Sequence, residues 1–202
     1  MTECRVVLAC LAAALLAAVP LPAAAQSGVP VSCPLPSGLC PLASLDQFLS
    51  APFVSDLVAS PDGRRIAWIA DVQGRRNIYV AEAPRWAART LTNNRVDYGQ
   101  ELTQLAWAPD GRGLLFVRGG DRSAAGEYPN PTSDPQGTAQ EVWFVGLSGG
   151  ARRIGEGTGP APSPAGDRVA FVLRDTIWSA PLRAAGPARV LFRARGRNSA
   201  PT

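Results

Sequence analysis

Ser148 lies in Gly146-Leu147-Ser148-Gly149-Gly150, which matches G-x-S-x-G letter for letter. That pattern places a nucleophilic serine on a sharp turn between a strand and a helix, ready to attack an acyl carbon. The chemistry needs a base to accept the serine proton. The 202-residue chain contains no histidine, so a Ser-His-Asp relay is impossible. All 20 of its basic residues are arginine, which removes a Ser-Lys pair as well. The flanks also disagree with the motif. Trp143-Phe144-Val145 precedes it and Ala151-Arg152-Arg153-Ile154 follows it; both read as short strands, leaving no helix to begin there. Ser148 therefore reads as a hairpin-turn residue, and no catalytic residue is assigned.

The other chemistry-bearing patterns weaken in the same way. Gly155-Glu156-Gly157-Thr158-Gly159 is glycine-rich but runs into Pro160-Ala161-Pro162. It opens no helix, so it lacks the amide cluster that cradles phosphate, and it reads as a linker. The carboxylates form no Asp-x-Asp ladder of the kind a calcium loop uses. Six residues separate Cys33 from Cys40, with no second pair and no histidine, which is not a zinc spacing. No metal or cofactor is expected. A disulfide between Cys33 and Cys40 would staple a Pro- and Gly-containing loop in an oxidising compartment, with two free thiols as the alternative.

The compartment is suggested by the N-terminus. Val6–Val19 is apolar and rich in Ala and Leu, and Ala23-Ala24-Ala25 offers a small-residue cleavage site before Gln26. Residues 1–25 read as a secretory signal peptide, so the chain is expected to be exported, to a periplasm or outside the cell. The apolar run falls short of the roughly 20 residues a transmembrane helix needs, so no stable membrane span is expected after cleavage. An uncleaved anchor is the alternative. The net charge of +4 comes from arginines scattered among 16 acidic residues. No basic stripe interleaved with aromatics appears, which argues against a nucleic-acid partner.

The elements that would position any site are written in a repeat. Leu57–Ala70, Leu105–Val117 and Ala161–Leu173 each run strand, Pro/Gly turn, basic residue, strand. Their turns carry Pro61-Asp62-Gly63, Pro109-Asp110-Gly111 and Pro164 with Gly166, and the prolines stand 48 and 55 residues apart. Proline pre-sets φ, aspartate caps its own backbone and glycine accepts a positive φ, so these are fold devices. Short strands recurring at about 40–50 residues are the signature of β-propeller blades. The expected fold is all-β, a partial propeller of about three four-stranded blades, near residues 54–92, 102–154 and 160–193. An irregular lead-in is expected over 26–46 and the propeller over 47–202.

Third strands align as Ile78-Tyr79, Val142-Trp143 and Ile177-Trp178. The aromatic at one register predicts packing between blades. Residues 119–140 interrupt blade two with Gly, Pro, Asp, Asn and Ser around Tyr128. A loop of that length inside a repeat reads either as a contact or gating loop or as a mobile insertion.

Three stretches resemble the propeller of prolyl oligopeptidase-family serine peptidases, of the secreted dipeptidyl and acylaminoacyl peptidase type. They are Phe48–Gly63, Asp97–Gly111, and the run from Gly119-Gly120-Asp121 through Asn130-Pro131 to Gln140-Glu141-Val142-Trp143. The resemblance covers about residues 47–202. It implies a parent protein in which a hydrolase domain cleaves peptides and the propeller acts as a lid and filter. The chain has no such domain, and Gln140-Glu141 is not the family's paired-glutamate motif, so no family site residue is carried over. TolB-like propellers share the Pro-Asp-Gly repeats. The alternative is accordingly a periplasmic scaffold that binds proteins. Three blades fall below the roughly four to eight that close a ring, so the sequence is expected to be a fragment whose missing partner is the parent's hydrolase domain.

Overall fold

The computed structural model describes residues 45–133, 135 and 138–193. Residues 1–25, where a signal peptide is expected, lie outside them, as do Cys33, Cys40 and all but the end of the expected lead-in. A five-residue helix, α1 (Leu45–Leu49), leads into twelve strands. They form three four-stranded antiparallel sheets, each in chain order. Blade one holds β1 (Phe53–Ala59), β2 (Arg65–Val72), β3 (Arg75–Glu82) and β4 (Arg89–Thr90). Blade two holds β5 (Leu102–Trp107), β6 (Gly113–Arg118), β7 (Glu141–Gly146) and β8 (Gly149–Glu156). Blade three holds β9 (Thr158–Pro162), β10 (Arg168–Leu173), β11 (Thr176–Pro181) and β12 (Arg189–Phe192). Consecutive meanders of this kind are propeller blades.

The Pro/Gly turns join the first two strands of each blade. Gly63, Gly111 and Gly166 adopt φ of 67°, 64° and 70°, and each donates its N–H to the residue before the proline (Ser60, Ala108 and Ser163) at 2.8–2.9 Å. Asp62 and Asp110 each accept an N–H two residues on, at 3.0 Å. Blade three keeps this geometry without an aspartate in the turn, because Asp167 replaces it one residue past the glycine. Ser163 donates to Asp167 at 2.7 Å, as Ser60 donates to Asp62 at 2.5 Å.

Side chains alternate across each sheet with the period of two that strands impose. One core cluster joins blades one and two: Ala67, Ile69, Ile78 and Val80 meet Leu105, Leu114, Phe116 and Val145. A second joins blades two and three: Leu115, Val117, Val142 and Phe144 meet Val169, Phe171, Ala180 and Leu182. Blade two is buried on both faces, which is why Leu114–Val117 and Val142–Val145 read as unbroken apolar runs. Burying one of these large side chains stabilises by roughly 1.5–3 kcal/mol.

The third-strand aromatics pack in two ways. Trp143 and Trp178 lie against the two inter-blade clusters. Within blades, Trp68 pairs with Tyr79, Phe116 with Trp143 and Phe171 with Trp178. The first two pairs stack, with centroids 5.8 and 6.5 Å apart. Such aromatic pairs add about 0.5–1.5 kcal/mol beyond their burial. The Trp178 indole N–H is buried without a hydrogen-bond partner.

The Gly155–Gly159 segment differs from a linker. β8 runs to Glu156 and β9 begins at Thr158, so Gly157 alone joins blades two and three. Close approach explains the glycines. A Cβ on Gly157, at φ 143°, would stand 2.6 Å from the Val172 carbonyl oxygen and 2.7 Å from the Phe171 ring. Each inner strand is also irregular in its pairing with the second strand. Asp56, Gln104 and Gly159 take φ of 50°, 57° and 63° there.

Candidate functional site

The blade-turn residues Pro61, Asp62, Gly63, Pro109, Asp110, Gly111, Pro164 and Gly166 sit in three hairpins, one per blade. The turns of neighbouring blades lie side by side: a Cβ on Gly111 would stand 3.9 Å from the Arg65 guanidinium, and one on Gly166 3.9 Å from Pro109. Their partners are structural: Arg65 pairs with Asp62 and with Glu82, at 3.4 and 2.6 Å, and Arg183 of blade three pairs with Asp110 of blade two. Ser148 is exposed in the Leu147-Ser148 turn between β7 and β8, with Gly146 and Gly149 paired across it. Gly149 and Gly150 take φ of 88° and 82°, the left-handed conformation that a hairpin ending in a bulge uses.

A built surface lies where β6 leaves blade two. Here the 119–140 loop meets the crossover from blade one (residues 91–101). Gly119 donates to the Glu101 carbonyl at 2.9 Å. The Gln140 amide donates to Asp121 at 2.7 Å, and the Thr138 hydroxyl to the Pro129 carbonyl at 2.6 Å. The Arg122 guanidinium lies 4.5 Å from the centroid of the Tyr128 ring. The ends of the loop are thereby tied down, and Pro131 packs so closely on Gly99 that a Cβ there would meet it at 2.5 Å.

Between loop and crossover lies an open cleft of about 240 Å³, lined by Tyr98, Gln100, Arg118, Thr132, Thr138 and Glu141 among others. Arg118 lies 5.9 Å from the centroid of the Trp143 ring. Glu141 accepts from the Trp143 indole at 3.1 Å and from Arg153 at 2.5 Å. A neighbouring cleft of about 320 Å³ between blades one and two carries Asp56, Asp71, Arg76 and Glu101. Arg76 is held by Asp71 at 3.1 Å and Asp97 at 3.6 Å. These walls offer hydrogen bonds and both signs of charge to a polar ligand. They hold no nucleophile–base pair, and no group of three metal-ligating side chains occurs among the described residues. No described helix is long and apolar enough to cross a membrane.

The sequence places Tyr98 and Gln100 in the Asp97–Gly111 stretch and Thr138 in the loop, but nothing in it brings them together. For Arg118 the signal was its position: it ends an apolar strand immediately before a Gly-Gly break.

The three blades define the chain as a β-propeller segment. Its fold is similar to TolB from Acinetobacter baumannii, at 18% identity and TM-score 0.45, over 71% of this chain and 33% of that one. It is also similar to an acylaminoacyl peptidase from Pyrococcus horikoshii, at 19% identity and TM-score 0.45, over 69% of this chain and 25% of that one. A third similarity is to the β-propeller domain of the Trilobed protease from Pyrococcus furiosus, at 15% identity and TM-score 0.45, over 69% and 43%. The chain thus spans between a quarter and a half of these proteins' length. No protein-family model and no curated protein matches it.

Proposed function

We propose that this chain is the propeller segment of an exported serine peptidase of the prolyl oligopeptidase family. It carries no catalytic residue of its own and works as a lid and filter for peptides entering a hydrolase domain of the parent protein. The observation that carries this reading is the 119–140 loop. Its flanks, Gly119–Asp121 and Gln140–Trp143, belong to the stretches that resemble the family, and the loop walls a polar cleft whose donors and acceptors suit an extended peptide backbone.

Sequencing the source locus past codon 202 tests the reading. It expects an in-frame continuation with further blades and a hydrolase domain supplying Ser, Asp and His. Further blades without that domain would overturn it in favour of a TolB-like protein-binding scaffold. A stop codon at that point would overturn the peptidase role for the product itself.

A further inference from the structure

We propose that the end of the segment carrying the Pro/Gly turns docks on an anionic phospholipid surface, through unpaired arginines and the exposed indole of Trp86. The antiparallel order of each blade brings two hairpins to that end, opposite the 119–140 loop. In blade one the Ala83 N–H of the outer hairpin donates to the Arg64 carbonyl of the inner one at 2.9 Å. In blade two Leu147 donates to Arg112 at 3.2 Å, and in blade three Leu182 to Asp167 at 2.8 Å. Arg183 of blade three reaches Asp110 of blade two, so the hairpins of neighbouring blades adjoin in one surface.

Charge that is scattered along the sequence is segregated on this surface. Its carboxylates are Asp62, Glu82, Asp110 and Asp167. Each is engaged: Asp62 and Glu82 by Arg65, Asp110 by Arg183, and Asp167 by Ser163. Arg85, Arg89 and Arg112 are exposed, and their guanidiniums pair with no carboxylate among the described residues. Arg64 is exposed beside an Asp62 that Ser60 and Arg65 already hold. The outer hairpin of blade one adds an apolar tip. Residues 83–90 contain no carboxylate, and Pro84, Ala87 and Ala88 are exposed. Trp86 takes φ 50°, where bulky residues are rarely found, and its N–H donates to the Glu82 carbonyl at 2.9 Å. It stays 46% exposed and outside both core clusters. Strained backbone that holds a large apolar side chain in water points to a ligand for that side chain.

Trp and Arg together suit the boundary between lipid headgroups and acyl chains. Guanidiniums meet the phosphates while the indole enters the interface. A soluble polyanion would engage the guanidiniums and leave the indole in water. The loop end carries Asp56, Asp71, Asp97, Glu101 and Asp121, which an anionic surface repels, so the charge distribution also sets the orientation. Further blades would join beside the described ones, and a hydrolase domain fed through the cleft would lie over the loop end. Neither would cover the Pro/Gly turns.

Cosedimentation of the purified full chain with vesicles tests this, using phosphatidylcholine alone and phosphatidylcholine mixed with phosphatidylglycerol. The neutral vesicles read any binding through the apolar run Val6–Val19. The anionic vesicles are expected to bind at least about tenfold more tightly at low salt, since each arginine near the surface contributes about fivefold. That advantage should fade as salt rises. The double variant Arg85→Ala, Arg89→Ala should lose most of it, and Trp86→Ala should weaken the binding that survives in salt. Circular dichroism and the urea midpoint verify that each variant is folded. The double variant Arg95→Ala, Arg174→Ala removes the same charge from the loop end and is expected to keep the advantage. Equal binding of wild type to both vesicles would overturn the proposal. So would an equal loss in the loop-end variant, which would make the attraction one of net charge alone. Retention on heparin without preference for anionic vesicles would overturn it in favour of a soluble polyanion.

Discussion

The side chain of Gln104 in blade two bridges to blade three, accepting the Gly159 N–H at 2.7 Å and donating to the Thr158 hydroxyl at 2.8 Å. Blade one makes the corresponding reach: the Asp56 carboxylate accepts the Leu105 N–H at 3.3 Å. In both cases an irregularity in the inner strand turns a polar side chain sideways. That side chain then accepts a backbone N–H from the next inner strand. Innermost strands pair on one side only, so such staples satisfy donors that no ladder reaches.

Removing the Gln104 amide should weaken the contact between blades two and three. Gln104→Ala keeps the φ of 57° and loses the bonds to Thr158 and Gly159. The expected cost is about 1 kcal/mol, read as a lower urea midpoint. Gln104→Gly removes the same bonds while relieving the left-handed backbone. It should therefore fall between Gln104→Ala and wild type, and a Gly variant less stable than the Ala variant would contradict the strained-bulge account.

Gly113 and Gly63 should respond to alanine for opposite reasons. Gly113 occupies the position of Arg65 and Arg168 in the other blades. Here a Cβ would stand 2.4 Å from the Phe144 ring and 2.7 Å from the Val145 carbonyl oxygen. Backbone cannot yield cheaply, so Gly113→Ala should cost about 1–3 kcal/mol by overpacking. Gly63 has nothing within 4 Å of a built Cβ but a φ of 67°. Gly63→Ala should cost about 1–2 kcal/mol through backbone strain alone, and Gly63→Asn less, because asparagine tolerates that region. Thermal or urea unfolding of the three variants separates the two mechanisms.

Local chemistry was legible in the sequence, and contacts across blades were not. Pro61, Pro109 and Pro164 announce their turns because a proline and a nearby glycine dictate φ within four residues. The third-strand aromatics could be aligned because each follows a β-branched residue and stands three residues before the end of its strand. Asp56 and Gln104 could not be found in this way. A left-handed non-glycine residue inside a strand has no compositional mark, and the partners lie 49 and 55 residues away. Gly155–Gly159 misled for a related reason: its glycines read as punctuation, whereas two of them make room for Phe171. The cleft at Tyr98, Arg118 and Thr138 exists only because the long loop folds back on the crossover.

Ser148 should be chemically silent. It is exposed in a two-residue turn, and the chain has no histidine or lysine to activate it. A fluorophosphonate probe is expected to leave it unlabelled at neutral pH, and Ser148→Ala should shift stability by no more than about 0.5 kcal/mol. Labelling at Ser148, located by peptide mass mapping, would reinstate the nucleophile that the strand–turn–strand setting excludes.

Acid should loosen the first and third hairpins through their capping carboxylates. The Ser60 hydroxyl, then the Arg64 N–H, hold Asp62 below its ordinary carboxyl value of 3.8, with Arg65 and Arg64 adding attraction against a small burial cost. The Ser163 hydroxyl does the same for Asp167, with its own N–H and Arg168 assisting. A carboxyl whose folded value lies below its unfolded one binds fewer protons folded than unfolded across the interval between them. Its stabilising contribution is therefore complete above about pH 4 to 5. It falls as pH drops through 3.8 and is gone below the folded value. Urea midpoints from pH 7 down to pH 2 should fall less steeply for the double variant Ser60→Ala, Ser163→Ala than for wild type. The two curves should converge at the acid end, where the carboxyls are protonated in both proteins. Parallel curves throughout would mean that the serines support the turns without tuning Asp62 and Asp167.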